Sequence, residues 1–241
     1  MSVESSAHKH KNLADRIIRA SFIIGLAHIC LKFAGLIQVK FATQYLDSTL
    51  YEPIMVVAFT GVINSIFLIG EEVIGPTFLT LFMQEKEEKN EQAAWDFTNV
   101  VLSFQSLLLI LVTALIVCCP DFFIHLFTKW NESDNPERYR ILRLSLQVLA
   151  PSLCFLSLGS TTYVLLNGYK KFFLAAFGDT STKICIVLGL VLGMQLFGFD
   201  FRALFAGILL GSVAKILTHL VGLRSKLGCL RLSFHWRNPA F

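Results

Sequence analysis

The stretch Pro53–Met83, PIMVVAFTGVINSIFLIGEEVIGPTFLTLFM, carries one charged pair, Glu71 and Glu72, in an otherwise uncharged run, and its reading decides the fold class. A bilayer core about 30 Å thick is crossed by roughly 20 apolar helical residues. A straight helix over the whole run would measure about 46 Å at 1.5 Å per residue. The run therefore exceeds the core, and a bend or an end is expected where Gly70, Glu71, Glu72, Gly75 and Pro76 cluster.

Working outward, five further stretches reach spanning length. The first runs from Ile17 to Phe41, the second from Pro53 to Gly70 with its continuation to Met83, and the third from Val100 to Cys119. The fourth covers Leu144 to Leu166. The fifth lies between Phe172 and Phe197 and is broken by the polar stretch Gly178 to Lys183, and the sixth runs from Ala203 to Leu223. Every backbone polar group in lipid needs an internal partner, so helices are the expected solution. A barrel would need short segments alternating apolar and polar residues, which the sequence does not show. The expectation is an all-α polytopic membrane protein with a tail over 1–16, a six-helix lobe over 17–223 and a basic tail over 224–241.

Composition agrees. Hydrophobic residues make up 54% and charged residues 16% of the chain, with a mean hydropathy of +0.62. The net charge of +4 follows from how Lys and Arg are distributed between the loops, so it gives no support to nucleic-acid binding. Positive charge is retained on the cytoplasmic side. With the amino terminus inside, that side holds Lys9, Lys11, Arg16, Arg19, Lys86, Lys89, Lys170, Lys171, Arg224, Lys226, Arg231 and Arg237. The other side holds Lys129, Arg138, Arg140, Arg143 and Arg202, partly neutralised by Asp121, Glu132, Asp134, Glu137 and Asp200. Both termini are expected in the cytoplasm.

The basic start and the apolar segment after it read as a retained first helix, because the segment is long, contains Lys32 and lacks a small-residue cleavage pattern. Six cysteines, mostly inside apolar spans and without C-x-x-C spacing, read as buried inert thiols. No metal site or cofactor is read. The connection Pro120 to Arg140 contains an amphipathic piece, Asp121 to Trp130, suited to the membrane surface, and Gln84 to Gln92 reads as a solvated loop.

Ionisable residues at membrane depth carry the information about function, since each costs at least about 2.5 kcal/mol there and faces a bundle interior or a wet cavity. His28, Lys32 and Lys40 fall within roughly a 120° arc of the first helix at 100° per residue. Lys40 has a second reading as a snorkelling interface residue; Lys32 lies deeper and is the cavity-lining candidate. Glu71 has two readings, a solvated interfacial carboxylate or a partner for Lys32. Lys215 and His219 share a face at i and i+4, and Lys215 is read as a near-interface anchor. Gly189 with Gly193, and Gly207 with Gly211, are small-xxx-small pairs that permit close helix approach. No nucleophile-base set or paired catalytic carboxylates emerge, so an enzyme is not expected.

Taken in order, Lys32, Gly35, Ala58-Phe59 and Glu71 resemble the opening two helices of the MurJ (MviN) lipid II flippases, whose pattern is Ser-Arg-x-x-Gly-x-x-Arg-Asp, then Ala-Phe, then a Glu-Gly pair. The similarity resumes through Ala150-Pro151, Leu166-Asn167, Ala176-Phe177 and the basic end Leu223 to Gly228. It covers nearly the whole chain and the first half of the family's fourteen helices.

The resemblance implies one lobe of the multidrug/oligosaccharidyl-lipid/polysaccharide exporter fold, in which two six-helix lobes surround a cationic cavity and alternate access. The implied cargo is undecaprenyl-pyrophosphate-linked disaccharide-pentapeptide, the peptidoglycan precursor of cell wall biogenesis, moved across the bacterial inner membrane. The implied substrate-binding positions are His28, Lys32, Gln38 and Glu71. Gln38 and Val39 stand where the family has a second cavity arginine and its aspartate, Ile66 replaces an arginine, and Glu72 replaces the glycine of the Glu-Gly pair. Lys32 in place of arginine keeps charge but loses a bidentate fork. A six-helix lobe needs a second lobe to enclose a two-lobed cavity, supplied by a homodimer or a partner chain. The competing expectation is an inactive remnant or a non-transporting interaction protein among membrane lipids.

Overall fold

The computed structural model describes residues 2–198 and 200–234, with side chains from residue 21 onward except those of residues 70, 73, 74 and 196. The basic side chains Lys9, Lys11, Arg16 and Arg19, and the tail end Arg237 to Pro239, lie outside the described set. The chain is 88% helical, with no strand among the described residues.

The helices are α1 (Ser2–Tyr45), α2 (Ser48–Tyr51), α3 (Ser65–Glu88), α4 (Glu91–Cys118), α5 (Pro120–Phe127), α6 (Pro136–Gly168), α7 (Phe172–Leu188) and α8 (Arg202–Gly222). Wider π-type turns join α2 to α3 over Glu52–Asn64 and extend α7 over Gly189–Leu196. Six helices are long and apolar enough to cross a membrane: Ser21–Tyr45, Ser48–Ile69, Glu91–Cys118, Pro136–Gly168, Phe172–Gln195 and Arg202–Gly222. The chain is a multi-pass membrane protein.

Sequence chemistry sets the helix starts. Asn90 accepts from the Ala93 N–H at 2.9 Å, and Asn135 accepts from the Arg138 N–H at 3.2 Å. Asp47 accepts from the Leu50 N–H at 3.0 Å, so three helices begin on an Asn or Asp that satisfies an orphan donor. Pro120 and Pro136 occupy first-turn positions, where a missing N–H does no harm.

α6 is the axis of the bundle. In its window 56% of residues are buried, against 11% for α1. Leu142, Leu146, Leu149 and Leu153 of α6 are fully enclosed against Ile54, Val62 and Ile63 of the π-type stretch and Leu204 and Ile208 of α8. Lipid tails are as apolar as leucine, so close packing must hold such helices together. The glycines provide it: a Cβ on Gly189 would fall 2.7 Å from the Gly207 Cα, and one on Gly211 would fall 2.7 Å from the Thr182 carbonyl oxygen. Gly189, Gly207 and Gly211 therefore form the seam between the α7 rod and α8.

Several expectations change. No break occurs at Glu71 and Glu72: the helix runs unbroken from Ser48 to Glu88 with Pro76 inside it, because losing one proline donor costs less than ending a helix in lipid. The polar stretch Gly178 to Lys183 does not break the fifth span either: the helix runs through it, with Asp179 paired to Lys215 and Thr182 donating to the Gly211 carbonyl across the bundle. Gln84 to Gln92 is mostly helix, and Lys89 and Asn90 alone separate α3 from α4. Residues 2–16 are helical and continuous with the rest of α1. None of the six cysteines is buried; Cys30 on α1 and Cys118 and Cys119 at the junction of α4 and α5 are exposed.

One end of the bundle is clasped by Tyr169. Its hydroxyl donates to Glu91 at 2.6 Å and accepts from the Trp95 indole at 2.9 Å. Lys226 pairs with Glu91 at 2.8 Å, and the Lys86 ammonium lies 4.6 Å from the Tyr169 ring centre. The chain after α8 is held along α4: Asn99 donates to the Cys229 carbonyl at 2.8 Å and accepts from the Arg231 N–H at 3.0 Å. The Ser233 N–H donates to Ser103 at 2.8 Å. At the other end Arg138 pairs with Glu52 at 3.0 Å and Arg143 with Asp121 at 3.3 Å. There α5 buries Phe123 and Ile124 and exposes Phe122 and Leu126, the two-faced character that Asp121 to Trp130 led us to expect.

Candidate functional site

Inside the lobe, α1, the π-type stretch, α3, α6, α7 and α8 surround a cavity of about 400 Å³. Its polar wall carries Gln38 from α1, Thr60 and Asn64, Glu71 from α3, Asp179, Thr182 and Lys183 from α7, and Lys215 from α8. Met55, Phe59 and Phe67 supply apolar surface. A void of about 10 Å³ adjoins it across Glu71, lined by Gly75, Gln105 and Ser160. The Ser160 hydroxyl is buried there without a protein partner.

Lys215 is the deepest charge. Its side chain is 3% exposed, and its ammonium stands 2.7 Å from an Asp179 carboxylate oxygen and 5.1 Å from the Phe67 ring centre. Gly159 makes room for it: a Cβ there would fall 2.9 Å from the Lys215 Cε. The expected interface anchor is thus an internal ion pair, because Asp179 on the neighbouring helix offsets desolvation of the ammonium. One turn later on α8, the Ala175 carbonyl lies 3.0 Å from His219 Nε2 and can only accept, so Nε2 donates to it. Nδ1 lies 2.8 Å from the Thr162 hydroxyl, which also stands 2.9 Å from the Gly159 carbonyl. Gly178 leaves the space that this imidazole fills.

Lys183 follows Asp179 by one turn and shares its helix face. It is half-buried and makes no hydrogen bond or ion pair among the described residues. The position of a Cβ on Gly35 lies 3.5 Å from its Nζ, so the glycine lets the ammonium reach α1. Lys32 stands within electrostatic range of Lys183.

The four sequence-derived positions are distributed unevenly. Gln38, 7% exposed, and Glu71, half-buried, line the cavity. Lys32 and His28 are both exposed on α1 and are not among the residues that line it. Neither Lys32 nor Glu71 forms an ion pair among the described residues, so the pair considered between them is not formed. Asp179 and Lys183 were missed as site residues, although their i, i+4 spacing in an apolar span was the available signal, and Lys215 with His219 gave the same signal on α8. A wall with an unpaired ammonium, an ion pair, amides and hydroxyls is equipped to hold an anion even with one further carboxylate, Glu71, in the lining.

Comparison with known proteins follows the same direction. A family model described as lipid II flippase MurJ matches residues 42–241; α1 up to Phe41, with Lys32 and Gln38, precedes that match. A probable lipid II flippase MurJ of Buchnera aphidicola is 26% identical over 175 residues, 71% of this chain and 33% of the relative. A probable lipid II flippase MurJ of Borreliella burgdorferi is 23% identical over 94% of this chain and 42% of its own length. The lipid II flippase MurJ of Thermosipho africanus is 23% identical over 82% of this chain and 39% of its own length. The chain spans about a third to two-fifths of the length of these relatives. Six spanning helices and a family match over most of the sequence place the chain in the MurJ lipid II flippase family.

Proposed function

We propose that this six-helix lobe takes part in moving lipid II, the undecaprenyl-pyrophosphate-linked disaccharide-pentapeptide, across the bacterial cytoplasmic membrane for peptidoglycan synthesis. The observation that carries this reading is the polar cavity within the lobe of a MurJ family member. Intramembrane charges mark ligand pathways, because each one is costly unless it serves or is paired. The pyrophosphate would meet Lys32 and the cavity residues Gln38 and Lys183, while the polyprenyl tail stays in lipid. Movement of this kind makes and breaks no covalent bond in the cargo, so an enzymatic role is not proposed.

The thin coverage of α1 supports a second lobe standing on that side, supplied by another copy or by a partner chain. The distribution of Lys and Arg supports cytoplasmic positions for both ends of the lobe. The test is translocation of labelled lipid II with Lys32→Ala and, separately, Gln38→Ala, alongside a check of membrane insertion. Lys32→Ala is expected to lower translocation at least about tenfold with insertion intact; unchanged translocation would remove Lys32 from the pathway.

A further inference from the structure

We propose that Lys183 and Lys215 form a phosphate-binding subsite inside the lobe, with the Asp179 carboxylate as its resident counter-ion. The inference rests on the transport reading for its biological cargo but concerns two residues outside the resemblance that motivated that reading. Both ammonium-bearing side chains line one cavity. Lys215 is held at 2.7 Å by a carboxylate whose side chain is 41% exposed, so one end of the pair is buried and the other faces the cavity. Lys183, on the same helix face as Asp179, makes no hydrogen bond or ion pair among the described residues.

One singly charged carboxylate thus serves a cavity wall with two ammonium groups: it pairs with Lys215 and lies one turn from Lys183. A phosphate or pyrophosphate ester brings more charge and more acceptor oxygens than Asp179 and is able to bridge the two lysines. Thr182 on the same wall adds a hydroxyl. Asp179 would give way, as the half-exposed partner, while Lys215 keeps an anionic neighbour throughout and is never left as a bare buried charge. Glu71 also lines the cavity, one turn along α3 from Phe67, without an ion partner among the described residues. Its repulsion limits how tightly the anion stays, which suits a site that must release its occupant.

The test uses the full chain in phosphatidylcholine nanodiscs titrated with inorganic pyrophosphate below the unfolding temperature of each variant. Asp179→Asn removes the competing anion and is expected to tighten pyrophosphate binding about tenfold, and Lys183→Gln to weaken it about tenfold. Lys183→Gln breaks no hydrogen bond, so it keeps the test decisive if Asp179→Asn does not fold. Absence of saturable binding, or binding indifferent to Lys183→Gln, overturns the subsite.

A second arm replaces part of the phosphatidylcholine with phosphatidylglycerol. Competition that depends on Lys183 identifies a bilayer headgroup as an occupant of the subsite, and lack of competition identifies a pyrophosphate group specifically. Pyrophosphate binding without lipid II translocation would leave the subsite standing and remove the transport reading. Translocation without Lys183-dependent pyrophosphate binding would do the reverse.

Discussion

The Lys215 ammonium and the Asp179 carboxylate are joined at 2.7 Å with unequal burial, 3% against 41% of each side chain exposed. Removing either partner therefore has different consequences. Asp179→Ala strands a buried cation, which costs about 3–5 kcal/mol. Lys215→Met fills the same slot with an apolar stem and leaves a carboxylate that reaches cavity water, for a loss of about 1–2 kcal/mol. Thermal unfolding of the two variants in detergent measures the asymmetry, and a larger loss for Lys215→Met would contradict the burial assignment.

The seam between the α7 rod and α8 gives a second expectation. Gly189→Ala pushes a methyl group against the Gly207 backbone, where no flexible side chain is available to move, and should cost about 1–3 kcal/mol. Gly25→Ala on α1 meets nothing within 4 Å and should be neutral or stabilising by up to about 1 kcal/mol. Unfolding midpoints of the two variants decide the matter.

Tyr169 ties α4 to the turn after α6. Burial and the adjacent Glu91 push its phenol well above the usual range. The folded protein therefore holds the neutral phenol, and the stabilisation is fully present below the unfolded value near pH 10. As the pH climbs past that value the unfolded chain loses its proton and the folded one does not, so stability falls. Tyr169→Phe should cost about 1–3 kcal/mol at neutral pH and flatten the alkaline slope, read from unfolding midpoints between pH 8 and pH 11.

Sidedness is testable with the native thiols. Cys118 and Cys119 are exposed at the junction of α4 and α5, and Cys229 lies just beyond α8. With both ends of the lobe inside, a membrane-impermeant maleimide should modify Cys118 or Cys119 in intact spheroplasts and Cys229 only after lysis. The opposite pattern would invert the orientation drawn from the loop charges.

The six spans were legible because apolar runs of membrane length have few alternative readings, and the small-xxx-small spacing announced the close seam that Gly189, Gly207 and Gly211 form. The stretch Gly178 to Lys183 was misread as an interruption, since hydropathy registers Asp179 and Lys183 as polar without showing that Asp179 faces a lysine on α8. Lys215 looked like an anchor for the same reason: its partner lies on another helix, and a single strand of sequence does not reveal pairing across a bundle. Glu71 and Pro76 suggested a helix end, yet the chain continues because lipid penalises a broken backbone more than one missing donor. Gln38 was recognised through its place in a family pattern rather than by its own chemistry, and its inward position follows from how α1 lies against α7.

The central claim is that this lobe serves lipid II translocation, and the most direct measurement is surface exposure of labelled lipid II in bacterial cells depleted of their own flippase. The cells would express this chain alone and then together with a chain supplying a second lobe. Exposure in at least one of the two is expected, with Lys32→Ala reducing it: alone if the lobe self-associates, only with the partner if the transporter is split. No exposure in either condition, with the chain correctly inserted, would contradict the claim.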